Sequence, residues 1–159
     1  VLRQAAFLIE RFDVDLSEIN YDFFERTTVG RLQLQGDIFS GITAIDDGRI
    51  LVASATRDMI ERRGVADDDL ANLASEIRSA EGAEVSFLFV ETVNPLGVRI
   101  NIRSRGCFDA AEFAKRFGGG GHQRAAGVTL EEITLDEAKD LIVRKAKETL
   151  EACKEELHG

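Results

Sequence analysis

Three groups of residues in this sequence carry side chains or bare backbone that could act together on an anion. They are Arg103-Ser104, the run Gly118, Gly119, Gly120 and Gly121, and His122, followed by Arg124, Ala125 and Ala126. A guanidinium is a planar fork of donors suited to bidentate contact with phosphate, and a serine hydroxyl adds one more donor. Successive glycines let backbone N–H groups turn toward an anion and let a ligand reach van der Waals contact with the main chain. An imidazole is the side chain whose charge changes nearest neutral pH. Ala125, Ala126 and Gly127 keep the neighbouring wall thin, and Arg124 points with His122 or away from it, because a strand alternates. The chemistry implied is the gripping of a phosphate. The competing use of the glycines is structural. Gly118 alone is explained as the residue closing the preceding helix, and the others as a hinge. The run fits neither GxxxxGK[ST] nor GxGxxG, because Gln123 and Arg124 fall where those patterns need other residues.

Charge narrows the ligand. The 159 residues carry a net charge of −9, which argues against a general binder of duplex nucleic acid. The stretch from Val98 to Gly127 holds six basic and two acidic residues and is therefore +4, leaving −13 for the remainder. A cationic island in an acidic chain suits a small anionic ligand or a short strand. Arg99, Asn101 and Arg103 share one face by the period of two, with Arg99 and Arg105 read as a solvated edge. The triplet Asp67-Asp68-Asp69 reads as the acidic start of a helix in preference to a metal cluster. Cys107 and Cys153 stand in no CxxC pair and read as free thiols in a reducing compartment.

The elements that must position these residues follow from periodicity and punctuation. The chain opens inside an amphipathic helix with Leu2, Ala5, Leu8, Ile9 and Phe12 at helical spacing, and Asp15 or Ser17 caps the next one. Phe24, Leu32 and Phe39 recur at helical intervals, with Thr27, Thr28, Gly30 and Gly36 weakening that helix. "GITAI" and "RILVASA" flank Asp47-Gly48 as a hairpin. Thr56 caps a short helix ending before Gly64, and Asp67 caps another that aligns Leu70, Leu73, Ala74 and Ile77. "AEVSFLFVET" and "VRINIRS" are strands, "FDAAEFAKRF" a helix capped by Asp109, and "AAGVTLEEI" a strand. Thr134 to Glu137 form a capping box opening a long last helix. The fold class expected is α/β, a mixed β-sheet flanked by helices. A domain boundary is expected between the first helix and the hairpin, around residues 15 to 40.

The segment from Ile100 to Gly127, "INIRSRGCFDAAEFAKRFGGGGHQRAAG", resembles the DHH-associated domain, first subtype, of the DHH phosphoesterase superfamily. The matching positions are Arg103-Ser104, then Asp109, Phe113, Ala114 and Phe117, then Gly118 to His122 with Ala125, Ala126 and Gly127. A weaker likeness extends from about Arg31 over most of the chain. The resemblance implies that residues 1–35 are a helical connector from an N-terminal DHH domain, and residues 36–159 the associated domain. It implies that Arg103, Ser104, Gly118, Gly119, Gly120, Gly121, His122, Arg124, Ala125 and Ala126 bind substrate phosphate. It also implies two divalent metals, usually manganese, in the DHH domain, with no cofactor in this chain. Substrates in the family include short oligoribonucleotides, 3′-phosphoadenosine 5′-phosphate, cyclic dinucleotides, single-stranded DNA and polyphosphate. The chain departs from the whole-enzyme pattern, because it has no Asp-His-His and its only histidines are His122 and His158. By itself it is expected to bind without hydrolysing, as a fragment of a manganese-dependent phosphodiesterase. Expected partners are a nucleotide or short single-stranded RNA or DNA, a covalently linked DHH domain and a second copy of the chain. No membrane is expected, and the location expected is cytoplasmic. The alternative is a non-catalytic regulatory or oligomerisation domain with a structural glycine loop.

Overall fold

The computed structural model describes residues 2–12, 15–22, 26–65, 70, 72–93 and 95–158. The expected cap at Asp67 and the triplet Asp67-Asp68-Asp69 lie outside the described residues. Seven helices and six strands follow in the order α1 (Leu2–Phe12), α2 (Leu16–Asn20), α3 (Val29–Ser40), β1 (Thr43–Ile45), β2 (Ile50–Ala55), α4 (Arg57–Arg63), α5 (Leu73–Arg78), β3 (Val85–Val93), β4 (Leu96–Ser104), α6 (Ala110–Lys115), β5 (Gly120–His122), β6 (Ala125–Glu131) and α7 (Leu135–His158) among the described residues. The strands make one mixed sheet in the order β1-β2-β3-β4-β6-β5. Only β2 and β3 run parallel, and the α4–α5 crossover that joins them supplies the connection a parallel pair requires. The expected α/β architecture is the one observed.

Caps set most helix starts. Asp15 Oδ1 accepts from the amides of Ser17 (2.8 Å) and Glu18 (3.3 Å), Thr56 Oγ1 from Met59 (3.2 Å), and Asp109 Oδ1 from Glu112 (3.0 Å). At α7 the box is reciprocal: the Thr134 hydroxyl donates to Glu137 Oε2 (2.6 Å) while the Glu137 amide donates to Thr134 Oγ1 (3.3 Å). Helix α3 is continuous through residues 35 and 36 and buries Leu34 and Ile38. A Cβ at Gly30 would collide with the Arg63 carbonyl oxygen, so that glycine lets α3 lie hard against the end of α4.

One face of the sheet is covered by α6 and α7, and the other by α3, α4 and α5 only in part. Alternation in β2, β3 and β4 sends Val52, Phe87, Phe89, Ile100 and Ile102 to one side, where α6 and α7 add Phe113, Ala114, Ile142 and Leu150. The other side takes Leu51, Ala53, Leu88 and Val90 against Leu34, Ile38, Ile60, Leu73 and Ile77 from α3, α4 and α5. This second apolar core reaches no further across the sheet than β3. Beyond it, the same face of β4, β6 and β5 is polar or bare.

One expectation is overturned. Cys107 and Cys153 are not free: they form a disulfide with Cα atoms 5.9 Å apart, tying the loop before α6 to α7. The separation of 46 residues hides the pairing from any local reading. No helix among the described residues is long and apolar enough to cross a membrane.

Candidate functional site

The register sorts the expected site residues onto two faces. Residues paired across an antiparallel ladder project to the same side. Arg103 pairs with Ala125, and Ala125 pairs with His122. These three therefore form one row across β4, β6 and β5, with the Arg103 and His122 Cα atoms about 10 Å apart at two strand spacings. The next row on that face is Asn101, Gly127 and Gly120. The methyl of Ala125 and the two glycines leave a low floor between the guanidinium and the imidazole. His122 and Gly120 are exposed, while Ala125 and Gly127 are half-buried.

Arg103 is held in place from the α5 side. Its Nε donates to Ser75 Oγ at 3.0 Å and its Nη1 to the Ile102 carbonyl at 3.0 Å. Partial burial pulls its pKa down from the ordinary guanidinium value, and the group still carries its charge. A half-buried, pre-oriented cation beside a low floor of one alanine and two glycines can hold a phosphate group.

The remaining expected residues serve the framework. Ser104 is 3% exposed, and its hydroxyl donates to the Gln123 carbonyl at 3.1 Å while its amide donates to the Arg124 carbonyl at 3.1 Å. It fastens the β5–β6 turn. Arg124 Nη1 donates to the carbonyls of Gly106 (2.7 Å) and Phe108 (3.3 Å), bracing the same turn against the loop before α6. Ala126 is buried on the α6–α7 face, opposite to Arg103.

The four glycines divide by role. Gly118 has φ of 81° and ends α6, and its amide donates to the Lys115 carbonyl at 3.1 Å. The Gly119 amide donates to Ala114 at 3.0 Å, and a Cβ there would strike the Gly127 carbonyl and lie 2.6 Å from Val128 Cβ. Gly121 has φ of 145°, and a Cβ on it would lie 2.5 Å from the Ala125 oxygen. Only Gly120 has neither a positive φ nor a neighbour within 4 Å of an added Cβ. Two of the four amides are thus spent on the helix end. From Gly120 to His122 the run is an edge strand, whose outward backbone groups are open.

The cationic island is dispersed in the fold. Lys115 pairs with Glu112 at 2.5 Å, and Arg116 Nη1 donates to Thr149 Oγ1 at 3.1 Å. Together with Arg124, these belong to loop and helix surfaces away from the row. Asn101, on the same strand face as Arg103, has an Nδ2 that is shielded from solvent and has no acceptor. The site is exposed at its β5 edge, at Gly120 and His122. A cleft of about 730 Å³ lies elsewhere, between β1–β2 and α7, and one of about 610 Å³ lies beside the β3–β4 hairpin.

The DHHA1 domain profile matches residues 47–152, more than half of the chain, and the chain belongs to that family. It is 36% identical over 150 residues to the bifunctional oligoribonuclease and PAP phosphatase NrnA of Thermus thermophilus, covering 94% of this chain and 44% of that protein. It is 28% identical over 137 residues to the A-adding tRNA nucleotidyltransferase of Aquifex aeolicus, covering 86% of this chain and 16% of that one. The crystal structure of an exopolyphosphatase-related protein from Bacteroides fragilis superposes with a TM-score of 0.77 over 99% of this chain and 45% of that chain, at 23% identity. The chain therefore spans less than half the length of the curated relatives it matches. It is an associated domain of the DHH phosphoesterase family.

Proposed function

We propose that this chain is the substrate-binding domain of a DHH-family phosphoesterase and grips the phosphate of a nucleotide or a short single-stranded nucleic acid. The supporting observation is the Arg103–Ala125–His122 row on an open face floored by Gly120 and Gly127. An open half-site is what a domain needs if a second domain closes over it and completes the water-excluded pocket. We assign the first part of the chain, through about residue 35, to the connection with that DHH domain. Among the described residues no group of three His, Cys, Asp or Glu could hold a metal. We assign divalent-metal chemistry, expected to use manganese, to that DHH domain on the strength of the family resemblance. This chain's contribution is to position the substrate and neutralise charge on its phosphate.

The test is a calorimetric titration of the 5′-phosphorylated diadenylate pApA into this chain. Arg103→Ala should weaken binding at least about tenfold, near 1.4 kcal/mol. Equal affinity in the two proteins counts against the reading.

The rival, a regulatory or oligomerisation domain, draws on the structural duties of Gly118, Gly119 and Gly121 and on the exposed apolar side chains Phe7, Leu8, Phe12, Val29 and Leu32. Hydrogen exchange separates the two. Protection of Gly120 and His122 that depends on nucleotide favours binding. Indifference to nucleotide, with protection that depends on protein concentration, favours assembly.

A further inference from the structure

The structure assigns a second duty to the Cys107–Cys153 disulfide: it holds the phosphate site in its binding form, so that a dithiol reductant loosens the site and an oxidant restores it. This inference rests on the phosphate-gripping reading of Arg103 and His122 and names the regulation of that site.

The first support is the path from the sulfurs to His122. His122 leads directly into the Gln123-Arg124 turn between β5 and β6. That turn is tied down by the segment on either side of Cys107. The Gln123 carbonyl accepts from Ser104 Oγ at 3.1 Å and from the Ala110 amide at 2.8 Å. The Arg124 carbonyl accepts from the Ser104 amide at 3.1 Å, and Arg124 Nη1 donates to the carbonyls of Gly106 (2.7 Å) and Phe108 (3.3 Å). Cys107 stands between those last two acceptors.

The second support is that the segment needs a tether at this point. Phe108 is anchored without one, with its ring centroid 5.1 Å from that of Phe113 and 6.4 Å from that of Phe87. Gly106 lies exposed in a left-handed conformation with φ of 65°, and it carries the shorter of the two Arg124 contacts. Its neighbour Cys107 is fastened by the disulfide to α7, which the core holds through Ala146 and Leu150. Reduction releases that fastening and leaves the arginine resting on a glycine, the residue with the most backbone freedom.

The third support is access. Both cysteines are half-buried and line a hollow of about 480 Å³, with Asp109, Glu112, Arg116 and Glu148 on its walls. Thiol–disulfide exchange needs such an approach for the attacking thiolate. The reductant's first thiolate attacks one sulfur of the pair, forming a mixed disulfide and releasing the other cysteine. Its second thiolate then displaces the remaining cysteine and closes a disulfide within the reductant. Two electrons and two protons pass to the cysteine pair, and the dithiol is oxidised.

The test titrates pApA into the whole 159-residue chain, once oxidised and once in excess dithiothreitol, at a temperature where both forms are folded. Reduction should weaken binding at least about fivefold, the lower end of ordinary coupling between two sites. Linkage requires the converse, so saturating pApA should make the disulfide harder to reduce by the same factor. Arg124→Ala removes the link and should bind pApA equally in both redox states. Cys107→Ser combined with Cys153→Ser should bind as the reduced chain does and ignore dithiothreitol. Should that variant fail to fold, the wild-type comparison decides alone. If the oxidised and reduced chains bind alike while Arg103→Ala still weakens binding, the redox coupling is overturned and the phosphate site stands. A redox effect of full size in Arg124→Ala also overturns it, because the loss then comes from a general loosening of the fold. If pApA binds neither form, the phosphate reading falls and this inference with it. Two alkylatable thiols remaining after treatment with a mild oxidant would overturn the proposal at its first step.

Discussion

Alanine substitution along the glycine run separates what the fold requires from what a ligand requires. At Gly119 the new methyl would strike the Gly127 carbonyl and sit 2.6 Å from Val128 Cβ and 2.9 Å from Val128 Cα. Both partners belong to the paired strand β6, so neither can swing aside, and the cost is at least about 2 kcal/mol. At Gly121 the added carbon would meet the Ala125 oxygen and Ala126 Cα at 2.5 Å, in a backbone with φ of 145° that alanine avoids. Strain and crowding together come to about 3 kcal/mol. Gly118→Ala meets no neighbour and pays only for its φ of 81°, about 1 kcal/mol. Gly120→Ala meets nothing and needs no unusual φ, so it should gain about 0.4–1 kcal/mol by restricting the unfolded chain. For a domain of this size each kcal/mol moves the melting temperature by about 2–4 °C. Thermal unfolding should thus rank Gly120→Ala at or above the wild type, Gly118→Ala slightly below, and Gly119→Ala and Gly121→Ala lowest. Titration with pApA should give a different order, with the stable Gly120→Ala protein weakened about tenfold because its methyl rises from the floor beside Gly127. Full stability in Gly119→Ala or Gly121→Ala would refute the packing argument. Unchanged affinity in Gly120→Ala would refute the claim that bare backbone there serves a ligand.

Two further outcomes follow from interactions away from the site. The Cys107–Cys153 disulfide closes a loop of 46 residues, for which the chain-entropy estimate is about 4 kcal/mol. Reduction, or Cys153→Ser, should lower the melting temperature by about 8–16 °C, and coincident oxidised and reduced melting curves would contradict the pairing. The Glu137 carboxylate is held below its ordinary pKa by the hydroxyl and then the backbone amide of Thr134. A lowered carboxylate pKa stabilises the fold above the unfolded value and loses that support as pH falls through the folded one. Glu137→Gln should therefore narrow the gap between stability at neutral and acid pH, and an identical pH profile would discount the capping box.

Local chemistry was readable from the chain, and chemistry that depends on pairing was not. Asp15, Thr56, Asp109 and Thr134 cap helices within three residues of themselves, so their neighbours in sequence sufficed. The alternation of Val98, Ile100 and Ile102 against Arg99, Asn101 and Arg103 gave the two faces of β4 correctly. Gly30 weakened the expectation of α3, because its value lies in a contact with Arg63, thirty-three residues away in sequence. The glycine run gave no sign of being a strand, since glycine has little preference for one and the Gln123-Arg124 turn lacks an Asn-Gly signal. Ser104 looked like a ligand donor because its partner, the Gln123 carbonyl, is supplied by a turn that exists only after β4 and β6 pair. Of the expected phosphate residues, the register brings Arg103, His122, Gly120 and Ala125 together on one face. Ser104, Gly118, Gly119, Gly121, Arg124 and Ala126 fall to the framework that holds that face.

A crystal structure of this chain with pApA tests the central claim most directly. The account expects the 5′-phosphate between the Arg103 guanidinium and the His122 imidazole, on the face floored by Gly120 and Gly127. A phosphate seated on the α6–α7 side of the sheet, or in the cleft between β1–β2 and α7, would contradict it.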